Sequence, residues 1–204
     1  MSRHGLPVIA VGGGIAGAAF ATELARSGCR VILLERTSHP SHKVCGEFLS
    51  QNAQTALAAL GIDARALGAT GIDRFRLVKR ERYAEAPLPF AAAGLSRLCL
   101  DEALLAAAER AGATVVRGAA VTGIEATGGE VVARTELREW RGAAAGLGTG
   151  KHAMRGLRRA PGEMVGFKLH LKASAAAAQT SPAWCNSSSS EAGTLAPALS
   201  RAAS

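Results

Sequence analysis

The sequence predicts an α/β fold built on a parallel sheet, and three observations carry that reading. A short apolar run ending in glycines, a helical pattern and a second apolar run follow one another within residues 6–35. A strong helical pattern from Arg97 to Ala111 leads into a third apolar run. Two alternating segments then flank a Gly-Gly pair, the signature of a hairpin.

The elements read in order as follows. Leu6 to Val11 is a buried parallel strand, and Ile15 to Ser27 a helix with Ala16, Ala19, Phe20, Glu23 and Leu24 at helical spacing, ended by Gly28. Cys29 to Glu35 is the second strand, so the crossover between the two is expected to be right-handed. A loop with His39, Pro40, His42 and Gly46 precedes a helix from Gln51 to Leu60, capped by Ser50 and stopped at Gly61. Asp73 to Lys79 alternates Phe75 and Leu77 with charged residues, as a half-exposed strand does. Ser96 caps the helix from Arg97 to Ala111, and Thr114 to Val116 is a third buried strand. Val121 to Thr127 and Glu130 to Leu137 form the hairpin around Gly128-Gly129. Beyond Leu137 the pattern weakens, and only Met164 to Leu171 resembles a strand. From Ala173 to Ser204, 19 of 32 residues are Ala or Ser, which predicts a disordered tail over residues 172–204 behind a single domain over 1–171.

Composition narrows the function classes. The 204 residues are 48% hydrophobic, 20% charged and only 4% aromatic, a soluble globular profile with little to offer as a base-stacking surface. The formal charge of +8 is uneven: residues 1–136 hold 15 Lys and Arg against 13 Asp and Glu, and residues 137–204 hold 9 against 3. No nucleic-acid motif accompanies the basic second part, so a solvated basic face explains it and no nucleic-acid partner is expected. Cys29, Cys45, Cys99 and Cys185 are far apart and His39 and His42 lack partners at metal-ligand spacing, so no metal is expected and reduced thiols imply a cytoplasmic protein. Residues 5–22 carry no charge, but Gly12, Gly13, Gly14 and Gly17 make a poor hydrophobic helix, and no integral membrane segment is expected.

The chemistry concentrates in Gly12-Gly13-Gly14-Ile15-Ala16-Gly17, a G-x-G-x-x-G stretch between a predicted strand and a predicted helix. Gly12 permits the tight turn, Gly14 lets backbone approach a pyrophosphate, and Gly17 lets the helix pack closely. The helix N-terminus, with Ile15 and Ala16, then presents N–H groups and a favourable dipole to phosphate. Glu35 lies 18 residues beyond Gly17 at the end of the second strand, where a carboxylate can accept from an adenosine ribose, and Arg36 beside it is a further candidate contact. A carboxylate there repels a ribose 2′-phosphate, which favours NAD or FAD over NADP. The fingerprint does not choose between those two.

Lys43-Val44-Cys45-Gly46-Glu47-Phe48-Leu49-Ser50 resembles the segment after the second strand in FAD-dependent enzymes of the geranylgeranyl reductase and aromatic-ring hydroxylase superfamily. Ser96-Arg97 with Leu100-Asp101, Leu104 and Gly112-Ala113 resembles a second stretch of that family. Gly150-Lys151-His152 and Val165 to His170 resemble a later one. The likeness covers residues 5–137 well and 148–171 patchily. It implies a Rossmann-like FAD-binding domain of the glutathione-reductase type, with a parallel sheet and a β-hairpin or meander. It also implies that Arg97 helps to bind FAD, that Cys45, Gly46 and Glu47 lie at the cofactor, and that NAD(P)H reduces a flavin that hydrogenates an isoprenoid-like double bond or hydroxylates a small organic substrate. Each residue has a plainer reading: Arg97 as a first-turn helix residue, Cys45 as a packed thiol, Glu47 as a loop glutamate, and Lys168 and His170 as strand surface. No catalytic base is assigned.

The family's later Gly-Asp motif is absent, since Asp101 is the last aspartate, so the chain is expected to be incomplete at its C-terminus, as a truncated or frame-shifted product would be. A non-catalytic nucleotide-binding remnant is the rival reading. An NAD-dependent dehydrogenase also fits the first 36 residues, but it leaves the Lys43–Ser50 and Ser96–Leu104 segments without an account.

Overall fold

A computed structural model describes residues 5–45, 47–79, 81–150, Lys168, and the backbone of two late strands, Trp184–Ser190 and Gly193–Leu195. The chain divides into two units, Met1–Ser41 with Leu100–Glu163 and His42–Cys99 with Met164–Ser204.

The first unit holds β1 (Val8–Val11), α1 (Ile15–Arg26) and β2 (Val31–Glu35), the βαβ unit read from the sequence. The later chain adds β6 (Thr114–Arg117), β7 (Val121–Thr127), β8 (Glu130–Thr135), β9 (Glu139–Gly142) and β10 (Ala144–Leu147). The sheet β10-β1-β2-β6 is parallel throughout, and β7-β8-β9 form an antiparallel meander.

Strand alternation sorts the parallel sheet's residues between two faces. Ile9, Val11, Ile32, Leu34, Val116 and Ala145 share one face and pack with Ala133 and Trp140 of the meander into one apolar cluster. Ala10, Leu33 and Gly146 lie on the other face, where Phe20 of α1 covers Gly146. Ile9, Ala10 and Leu33 are completely buried. Gly128 and Gly129, at φ 63° and 83°, make the left-handed pair that a tight β7–β8 turn requires.

In the first unit two features depart from the sequence reading. The stretch 138–149, expected to be degraded, supplies β9 and β10, and β10 is the parallel neighbour of β1. Its Ala-Ala-Gly-Leu sequence has weak strand propensity because the space is small: a Cβ on Gly146 would sit 2.4 Å from the Phe20 ring, and at the end of β9 one on Gly142 would sit 2.7 Å from the Pro7 carbonyl. The buried face of α1 is also displaced from the expected stripe. Gly17, Ala18, Ala21 and Thr22 face inward while Ala16 and Glu23 are exposed, because the smallest side chains allow the helix to lie close on the sheet.

The second unit contains β3 (Phe48–Leu49), α2 (Gln51–Ala59), β4 (Thr70–Lys79), β5 (Arg82–Gly94) and the late strands β11 (Trp184–Ser190) and β12 (Gly193–Leu195), in sheet order β12-β11-β4-β5-β3. The Ser50 hydroxyl accepts from the Ala53 N–H at 3.2 Å, so the expected cap of α2 is present. β4 begins at Thr70, earlier than expected, and β5 is a strand that Pro87 and Pro89 conceal in the sequence. It tolerates them because β3 covers only its Ala93–Gly94 end and the ladder is irregular between Ile72 and Arg74. The expected Met164–Leu171 strand lies outside the described residues apart from Lys168, and so does most of segment 172–204, within which β11 and β12 were not expected. Helix α3 (Arg97–Arg110) begins in the second unit and continues in the first, with the Ser96 hydroxyl accepting from the Leu98 N–H at 3.2 Å.

Candidate functional site

The glycine turn is closed by three backbone segments. Gly12, at φ 98°, turns the chain out of β1 while its N–H donates to the Leu34 carbonyl at 2.8 Å. A Cβ on Gly17 would fall 1.8 Å from the Gly12 carbonyl oxygen, so Gly17 is needed by the turn itself more than by the strand. The third segment is the end of β10. Gly148 donates to the Val11 carbonyl at 2.8 Å, and a Cβ there would lie 2.8 Å from Gly17 Cα.

Gly14 is the N-cap of α1, with extended backbone and its carbonyl accepting from Ala18 N–H at 2.9 Å. It has no side chain to cap the helix, and no acidic residue occupies the first turn. The first-turn N–H groups have no intrahelical acceptors, and together with the helix dipole they suit an anion. Ile15 and Ala16, at that end, are exposed.

Glu35 reaches this turn from the end of β2. Its Oε2 accepts from Gly13 N–H at 2.5 Å, and its Oε1 accepts from Thr37 N–H at 2.9 Å and Thr37 Oγ1 at 2.7 Å. Arg117, the register partner of Glu35 on β6, is held by Glu102 of α3 through two bonds of 2.8 Å. The Glu102 hydrogen bonds raise the Arg117 pKa above its ordinary value, with Glu35 among the smaller contributions. Thr37, Arg117 and Gly148 were not singled out in the sequence. A Thr two residues after the strand-end carboxylate is the one local signal that could have found any of them. Arg36 is exposed.

The remaining predicted site residues sit in the second unit. Glu47 is 3% exposed at φ 58°, with its Oε1 accepting from Arg97 N–H at 2.8 Å. The Cys45 thiol accepts from the Glu47 N–H at 3.4 Å and is half-buried. Arg97 is half-buried at the start of α3, and Gly46 lies outside the described residues. Among the described residues no cluster of three or more His, Cys, Asp and Glu could hold a metal ion, and no helix is long and apolar enough to cross a membrane.

A glycine turn feeding a helix N-terminus, with a carboxylate on the next parallel strand, defines a dinucleotide-binding protein. The family described as "FAD binding domain" matches residues 5–143, and the chain belongs to that family. The sequence is 43% identical over 77 residues to a 6-methylpretetramide 4-monooxygenase of Streptomyces rimosus, covering 37% of this chain and 18% of that protein. It is 36% identical over 87 residues to squalene epoxidase 6 of Arabidopsis thaliana, covering 40% of this chain and 16% of that one. The chain therefore spans less than a fifth of either relative's length. Among solved structures, halogenase PltM superposes with a TM-score of 0.61 at 19% identity, covering 72% of this chain and 36% of PltM. The myxobacterial chondrochloren halogenase CndH gives 0.58 at 26% identity, covering 68% of this chain and 35% of CndH. The cofactor of the family is FAD, and the turn fits a dinucleotide: backbone approaches where side chains would collide, with the Glu35 carboxylate bonded to the Gly13 N–H beside it.

Proposed function

We propose that this chain binds the ADP half of FAD through β1, α1 and β2, as the cofactor-binding part of an oxidoreductase acting on a small organic molecule. The observation that carries the reading is the Gly12–Gly17 turn at the N-terminus of α1, with Glu35 bonded to Gly13 beside it. In this reading the first-turn N–H groups of α1 hold the pyrophosphate, Glu35 orients the ribose, and Arg97 adds a cationic contact. When bound, FAD supplies the redox chemistry and the protein supplies binding and orientation. NAD(P)H is the proposed reductant. Of the two chemistries the family likeness implies, oxygen insertion is favoured over hydrogenation of an isoprenoid double bond, because the two curated relatives are named as a monooxygenase and an epoxidase.

Titration with FAD, followed by flavin fluorescence and competed with ADP, tests the reading. Gly14→Val should abolish binding by placing a branched side chain at the N-cap that faces the phosphates. Unchanged affinity, or an ADP insensitivity in the wild type, would put the ligand elsewhere. Anaerobic stopped-flow reduction of the FAD complex by NAD(P)H tests the reductant, since bleaching no faster than that of free FAD counts against it.

A further inference from the structure

Glu47 is the one non-glycine residue in the left-handed region among the described residues, and its burial makes that conformation harder to attribute to a relaxed loop. The backbone around it shows what the conformation accomplishes. Leu49 pairs with Ala93 and Phe48 with Gly94, and the Glu47 carbonyl accepts from Leu95 N–H at 2.9 Å. At the next rung the ladder would end, and there the turn at Glu47 brings its carboxylate onto the N–H of Arg97, the first residue of α3. A side chain thus completes what the strand backbone cannot, and it supplies negative charge at a helix N-terminus.

The same Oε1 lies 2.5 Å from Lys168 Nζ, and both side chains are largely buried. The ammonium finds no well-directed hydrogen bond among the described residues, and the ion pair with Glu47 compensates its charge. A buried charge without a partner is strongly unfavourable, which makes each member of this pair depend on the other. The two are 121 positions apart, so the pair ties the segment before β3 to a late part of the chain.

We propose that Glu47 is a positioning residue for Arg97: it holds the start of α3, with Lys168 as its counter-charge, and makes no contact with the cofactor. The proposal rests on the reading that Arg97 contacts FAD. It reassigns Glu47, since a carboxylate turned inward onto a helix amide and an ammonium serves the protein and not the ligand.

The test uses the full chain and two separate readouts, amide hydrogen exchange of residues 95–100 without FAD and FAD affinity. Glu47→Gly, which accommodates the left-handed backbone, should speed exchange at the start of α3 about fivefold to tenfold, as loss of one N-cap bond does. It should weaken FAD binding no further when combined with Arg97→Ala than Arg97→Ala does alone. Glu47→Gln leaves Lys168 unpaired and should also lose protection, while Glu47→Gln with Lys168→Met keeps the acceptor, removes both charges and should restore protection and affinity. Unchanged exchange in Glu47→Gly, additive losses with Arg97→Ala, or no rescue in the double variant would each overturn the proposal. If the wild type binds no FAD, the proposed function fails, and the exchange data still decide whether Glu47 holds α3.

Discussion

Gly148→Ala places a single methyl group where three backbone segments meet. The new Cβ would stand 2.8 Å from Gly17 Cα, 2.9 Å from Gly17 N and 3.3 Å from the Gly12 carbonyl oxygen. None of these is the flexible end of a side chain, so relief requires moving the turn or the end of β10. Overpacking of this kind costs about 1–3 kcal/mol, and for a chain of this size that lowers the melting temperature by about 3–10 °C. Because the displaced atoms form the turn proposed to hold the pyrophosphate, FAD affinity should fall along with stability. Gly123→Ala is the matched control, since a Cβ there meets nothing within 4 Å and the residue has no left-handed φ. Its melting temperature should stay close to that of the wild type. Thermal unfolding by circular dichroism, with and without FAD, reads both effects. If Gly148→Ala melted and bound like the control, β10 could not be the neighbour of β1 and the three-segment turn would be wrong.

Three further outcomes follow from the same geometry. Trp140 lies in the core against Ile9, Val11 and Leu34 with the Arg138 guanidinium carbon 3.4 Å from its ring centre. Trp140→Ala should therefore destabilise by about 3–5 kcal/mol in urea melts, and a loss under 1 kcal/mol would show that strand β9 is peripheral. Glu35→Ala removes the acceptor of Gly13 and Thr37 and should weaken FAD binding by roughly ten- to a hundredfold in calorimetry, with Glu35→Gln intermediate. Arg117→Met should cost only about 0.5–1 kcal/mol, because both members of its pair with Glu102 are partly solvated. The Arg117 pKa is raised, so its contribution is present below the ordinary value and lost only as pH climbs through the raised one. The effect of Arg117→Met should accordingly match at about pH 6 and pH 9, and a difference between the two would assign the pair's energy to some other group.

Local chemistry decided which parts of this fold could be read in advance. The βαβ unit was legible because backbone needs leave no substitute: Gly12 has left-handed φ, and Gly17 abuts a carbonyl oxygen. Ser50 and Ser96 were legible as caps for the same reason, since a hydroxyl one residue before a helix has one common use. What stayed hidden depends on partners distant in the chain. β10 looks like a structureless run of Ala and Gly until Phe20 and Gly17 are seen to leave no room for anything larger. β5 carries prolines that read as a loop until one long flank is found with a partner only at its end. Glu47 was picked out as a site residue by family likeness, but its inward direction is set by Arg97 and Lys168, 50 and 121 positions away.

The three-segment turn also orders events in time. Gly12 and Gly148 are separated by 136 positions, and the intervening chain includes the whole of His42–Cys99, which belongs to the other unit. At synthesis rates of about 5–20 residues per second, the glycine turn waits roughly 7–30 seconds on the ribosome before the strand that closes it emerges. During that interval β1 has an open edge on the β10 side and α1 has nothing against the face that Gly148 later occupies. Nascent chains stalled before residue 144 should therefore carry the complete glycine fingerprint and still fail to retain nucleotide, which makes ligand capture a late event in biogenesis despite its N-terminal address.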